Sequence, residues 1–163
     1  MDSELAQVAA EIEQHVAREG WDQPTRLFAI VRTADVRQSD PNLLLHEEHE
    51  YTSVEQDLSD SPDDVEELLA TLAWPVEVVG AAVVVERIVL PQGAESDLPD
   101  DESVVAVAAN HPQRHDVRMV SAVLRTGANV NAMRFKAHDD DGSVAIAPDL
   151  VPQLNAAMLA TFA

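Results

Sequence analysis

Val78 to Val85 is the longest uninterrupted apolar run in the chain. It is far too short to span a bilayer, and it is rich in Val, the residue type that packs best on a pleated surface. The segment from Val76 to Leu90 therefore reads as a strand that is apolar on both faces through Val85, which places it inside a sheet. Leu27-Phe28-Ala29-Ile30-Val31 has the same character and reads as a second interior strand. Two alternating runs flank Gly127 and mark a hairpin between residues 117 and 137. A two-residue turn at Gly127-Ala128 would set Arg125 opposite Val130, Ser121 opposite Arg134 and Met119 opposite Lys136. One hairpin face then carries Val120, Ala122, Leu124, Met133 and Phe135, and the other gathers Arg125, Arg134 and Lys136.

Helices fill the intervals. Leu5, Val8, Ile12 and Val16 recur at helical spacing, with Ser3 as the expected N-cap. Gly20 is the expected left-handed stop, with Trp21 folding back on the last turn. Ser61-Pro62-Asp63-Asp64 opens a second helix, whose buried stripe is Val65, Leu68, Leu69 and Leu72. Trp74-Pro75 ends it. A short helix is expected over residues 104–109. Asp149 is the expected cap of a last helix, with Leu154, Met158 and Phe162 on one side. The order α-β-α-β-(α)-β-β-α gives an α+β domain spanning 1–163, with a mostly antiparallel sheet of four to five strands and helices mainly on one face. Residues 38–61 read as an acidic surface excursion with one short strand near Tyr51, and 91–103 as an acidic linker.

Charge excludes several function classes. The chain has 10 basic and 30 acidic residues, a formal net charge of −20, and no Cys. Nucleic-acid phosphates and anionic lipid would be repelled over most of its surface. Thiolate metal sites and thiol nucleophiles are ruled out. Met1-Asp2-Ser3-Glu4 is acidic and helical in pattern, unlike a secretory leader, so a cytoplasmic location is expected. From Gln38 to Glu86 there are 13 carboxylates and no Lys or Arg.

No motif supplies a catalytic constellation. His46-Glu47-Glu48-His49 is one residue too short for a helical zinc motif. His138-Asp139-Asp140-Asp141-Gly142 lacks the Glu that a calcium loop needs further along, where Pro148 stands, and reads as a charged turn. His111, His115 and Asp116 would suit proton transfer or a metal-dependent hydrolase, but no nucleophile accompanies them. Five scattered Gly residues build no phosphate loop. No metal or cofactor is expected. Trp21 and Trp74 follow predicted helix ends and are candidate contact residues as well as core-edge aromatics. Asp22 and Arg26 flank a proline-fixed turn and are expected to pair. With His111, His115, Arg118 and the cationic hairpin face of Arg125, Arg134 and Lys136, these residues form the candidate binding set. Part of the acidic 46–67 segment is expected to lie over that face.

The runs EIEQHVAREGWDQPTRLFAIV (11–31), LLATLAWPVEVVGAAVVVERIVLP (68–91), HPQRHDVRMVSAVLRTG (111–127) and PDLVPQLNAAMLATF (148–162) resemble an uncharacterised family of small acidic actinobacterial proteins. That resemblance implies a bacterial source and brings no activity, cofactor or site residues. The helix–sheet order is also similar to small secretion-chaperone folds. The expected role is a non-enzymatic interaction or adaptor module, with a protein partner or a second copy as its target. A small-molecule pocket between sheet and helices, or a His/Asp hydrolase, is the alternative.

Overall fold

The structure is a computed structural model, and it describes residues 1–42, 49–89 and 115–163. The expected linker 91–103, the segment 104–109, His46 and His111 lie outside the described residues. Helix α1 runs Ser3–Ala17, strand β1 Arg26–Arg32, α2 Thr33–Ser39, β2 Tyr51–Glu55 and α3 Val65–Thr71. The chain continues through β3 Val78–Val89, β4 His115–Leu124, β5 Asn129–Phe135, β6 Ala145–Ala147 and α4 Pro152–Ala160. The sheet has six strands in the order β2-β1-β3-β4-β5-β6, and every neighbouring pair is antiparallel. The α+β class stands, with more strands than the sequence suggested.

Both faces of the sheet are covered. Phe28, Ile30, Ala82, Val84, Val120, Ala122, Val130 and Ala132 meet Leu5, Val8, Ala9, Ile12 and Val16 of α1 on one face. Leu27, Ala81, Val83, Val85 and Val123 meet Leu69 of α3 and Met158 of α4 on the other. Helices mainly on one face was therefore too simple. A strand that is apolar on both sides needs a layer on each side, and burying each of those Val or Leu side chains contributes about 1.5–3 kcal/mol.

Local chemistry explains most boundaries. Asp2, rather than Ser3, caps α1, its carboxylate accepting the Leu5 N–H at 3.0 Å. Gly20 takes the left-handed conformation foreseen for it, at φ 83°. Asp64 caps α3 by accepting the Glu66 and Glu67 N–H groups, at 2.8 and 3.1 Å, so the helix begins later than Ser61-Pro62 suggested. Asp149 does not cap α4. It sits at φ 60° and pairs with Asn129 instead, while Pro152 opens the helix. The short α2 went unforeseen because TADVRQS offers no apolar stripe.

The main correction concerns the β4–β5 hairpin. Gly127 N–H donates to Leu124 O and Leu124 N–H to Ala128 O, both at 2.9 Å, with Gly127 at φ 98°. That is a three-residue loop ending on a left-handed glycine, in place of the two-residue turn. Met119 consequently faces Met133 rather than Lys136, and Ser121 faces Asn131 rather than Arg134. An odd shift exchanges the faces of one strand relative to the other. Arg125 therefore turns toward α4, while Arg134 turns toward α1. The single cationic hairpin face does not exist.

Gly80 marks a close approach of β3 and β4. A Cβ there would lie 2.6 Å from Val123 O and 2.8 Å from Leu124 Cδ2. Gly80→Ala should cost about 1–3 kcal/mol by overpacking, whereas Gly142→Ala, whose Cβ would meet nothing closer than 3.4 Å, should be near neutral. Urea denaturation of the two variants checks this. Equal midpoints would remove the close approach from the account.

Candidate functional site

Several of the candidate residues converge at one end of the sheet, on the α1 side. Trp21 sits between Gly20 and Asp22, which both have positive φ, the latter at 64°. Its indole N–H donates to Asp139 Oδ2 at 3.0 Å. The Arg118 guanidinium stacks on its ring 4.4 Å from the centroid, and the Lys136 ammonium lies 6.0 Å away. Arg118 is 1% exposed. It donates to Gly20 O and to Glu86 Oε2, the latter at 3.2 Å, while its Nε and Nη1 have no hydrogen-bond partner among the described residues. Glu86 also accepts the Asp22 and Gln23 backbone N–H groups at 2.9 and 3.2 Å. This carboxylate thus ties the 20–23 turn to β3 and β4.

Arg134 lies opposite Arg118 in the β4–β5 ladder. Two neighbouring guanidinium groups require compensation, and Arg134 receives most of it. Its Nε and Nη2 grip the Glu13 carboxylate at 2.6–3.1 Å, Nη1 donates to Asp139 at 3.0 Å, and Nη2 also reaches Asp141. Glu13 is 1% exposed and Arg134 2%. These hydrogen bonds, Glu13's above all, hold Arg134 more firmly protonated than a free guanidinium. The expected cover of acidic residues 46–67 is therefore wrong. Arg134 is met by Glu13 and by the Asp139–Asp141 turn, Lys136 approaches Asp116 at 4.0 Å, and Arg125 donates to the carbonyls of Val78 and Pro75 at 2.7 and 2.8 Å.

The other candidates are dispersed. Asp22 and Arg26 do not pair. Arg26 holds Glu55 through two hydrogen bonds of 2.7 and 2.8 Å, and also contacts Glu19. Its hydrogen bond is the first reason that the Glu55 carboxyl lies below its usual range. Trp74 faces α4, donating to Thr161 Oγ1 at 3.0 Å and stacking on Phe162 at 6.0 Å. His115 lies edge-on to Phe135 at 6.3 Å. As consecutive strand residues, His115 and Asp116 point to opposite faces and form no proton-transfer pair. His49 contacts Glu11 at 3.2 Å and Gln7 at 2.7 Å. Among the described residues no group of three His, Cys, Asp or Glu could hold a metal.

Two features were not read from the sequence. One is a buried amide network. Asn155 Oδ1 accepts from Ser121 Oγ at 2.6 Å and from Asn131 Nδ2 at 2.7 Å, and Asn131 Oδ1 accepts the Leu150 and Val151 N–H groups at 2.9 and 3.2 Å. It fixes the start of α4 on β5. The other is a groove of about 410 Å³ between α3 and α4, floored by Val85 and Met119. A larger polar cleft of about 740 Å³ opens around Arg26, Glu55, Asp57, Asp63 and Glu86.

A model of the PPA1309-like proteins matches residues 5–163. The chain belongs to the PPA1309-like protein family. Comparison with curated proteins found no match, and neither did comparison with solved structures. The match covers α1 through α4 of this PPA1309-like chain, so the Arg134 cluster, the amide network and the groove all fall within the family region. No helix among the described residues is long and apolar enough to cross a membrane.

Two outcomes are expected. Glu13→Ala leaves a buried guanidinium with only Asp139 and Asp141, and should destabilise by about 3 kcal/mol, near the lower end for breaking a buried pair. Denaturant titration measures it, and a loss within error of zero would contradict the pairing. Asp139 is held below its ordinary value of 3.8, first by the Trp21 hydrogen bond and then by Arg134. A lowered carboxylate contributes stability above the unfolded value and loses it as pH falls through the folded value. In Trp74→Phe protein, the acid transition of Trp21 emission should therefore have its midpoint below 3.8. A midpoint above 3.8 contradicts the clamp.

Proposed function

We propose that this chain is a non-enzymatic, cytoplasmic protein-interaction module that recognises a basic partner. The supporting observation is how charge is used. Arg26, Arg118, Arg125 and Arg134 direct their guanidinium groups at internal carboxylates, carbonyls and rings. Arg26, Arg118 and Arg134 are paired with carboxylates, so those three of the ten cations contribute little to the outer field. Carboxylates outnumber cations 30 to 10, and Asp57, Asp60, Asp63, Asp64, Glu66 and Glu67 are all exposed. A surface of that kind attracts and orients a basic partner and rejects nucleic acid and anionic lipid.

The chemistry-bearing candidates support the same reading. His115 and Asp116 diverge, and the Asp139–Asp141 carboxylates serve Arg134. The test captures a partner from source lysate on the immobilised chain at low salt, purifies it, and remeasures binding by calorimetry. The expected partner is basic, and its affinity falls steeply as salt rises. A partner that is acidic, or an affinity indifferent to salt, would overturn the proposal.

A further inference from the structure

The groove between α3 and α4 has two unlike walls. Val65 and Leu69 of α3 form one apolar side and Leu154 and Ala157 of α4 the other, over a floor of Val85 and Met119. Its volume of about 410 Å³ is within the range of sites that bury a ligand or a row of side-chain anchors. Glu66 lines the groove on the α3 side, and Asp63, Asp64 and Glu67, its neighbours in sequence, are exposed with it. The α4 wall has no charge at all from Pro152 to Ala163. Among the described residues Arg87 is the one cation on the rim, and Val89 continues the same strand face past it, 36% exposed.

We infer that this groove seats an amphipathic helical segment of the basic partner, its apolar stripe on the floor and its Lys or Arg residues against the α3 acids. The inference rests on the interaction reading above and adds the surface and the shape of what binds. Helix-in-groove recognition uses apolar anchors at i, i+3 or i+4, and i+7, which an open trough between two helices accommodates. Charge selects the occupant. A second copy of this chain would bring another net charge of −20, and anionic lipid would meet the same four carboxylates. A cationic helix gains attraction from them and apolar burial from the floor.

The test uses the full chain and a fluorescent 14-residue Leu/Lys peptide patterned as an amphipathic helix. Its controls are a scrambled peptide of the same composition and a Leu/Glu version of the same pattern. Fluorescence anisotropy should show the patterned Leu/Lys peptide binding at least tenfold more tightly than either control. Leu154→Glu should weaken it at least tenfold. Glu66→Lys with Glu67→Lys should weaken it severalfold at low salt, with the difference closing at high salt. Val65→Glu, on the opposite wall, replaces Leu154→Glu if that variant fails to melt cooperatively.

Patterned and scrambled Leu/Lys peptides binding alike, with both wall variants silent, overturn the groove and leave the acidic-surface reading standing. No binding of either cationic peptide at low salt overturns both. A dimer in sedimentation that Leu154→Glu dissociates, or an apolar fluorescent probe that fills the groove while the patterned peptide does not bind, assigns the groove to another occupant and overturns the inference.

Discussion

Arg134 carries a full charge into a place that excludes water, and the surrounding chain is arranged to meet it. Burying an unpaired charge would cost several kcal/mol, so the position is tenable only with carboxylates held at fixed geometry. Glu13 comes from α1, 121 residues away in sequence, and Asp139 and Asp141 come from the turn just beyond β5. This one guanidinium thereby specifies where α1 crosses the sheet and how the chain leaves β5. Trp21 then lies over Arg118 because its indole reaches Asp139, which Arg134 already holds.

Much of this fold was legible because apolar pattern dominates it. The stripe of α1, the Val-rich β3, the hairpin, Gly20 as a left-handed stop and the Leu154-Met158-Phe162 line of α4 all reflect burial that the sequence displays directly. Burial on both faces was also displayed, since Val78–Val85 and Leu27–Val31 have no polar side. The hairpin register was not, because both candidate loops use Gly127 at positive φ and differ in the pair that closes them, Leu124 with Ala128 rather than Thr126 with Asn129. That three-residue difference sent Arg125 to one face and Arg134 to the other.

The Arg134 cluster left a fainter signal. Glu13 falls on the Leu5-Ala9 line of α1, an acid where the helix buries itself, and Arg134 continues the Val130-Ala132 alternation. Each is an anomalous charge on an apolar stripe, and each accounts for the other. The groove left none, because it depends on how far apart two short helices settle on a shared face. Nor did the asparagine network, whose members look like ordinary polar residues until Ser121, Asn131 and Asn155 meet in the interior.

That network has a consequence for how the molecule responds to its surroundings. Amides and hydroxyls do not titrate in water, so the hold of β5 on α4 is indifferent to acid. The polar contacts on the α1 face run instead through carboxylates, Glu13 on Arg134 and Asp139 on Trp21. The two faces of one sheet are thus fastened by chemistries with different susceptibilities. Acid that protonates Asp139 releases its hold on the Trp21 indole, while the amide contacts that seat α4, and the wall it gives the groove, carry no titrating group.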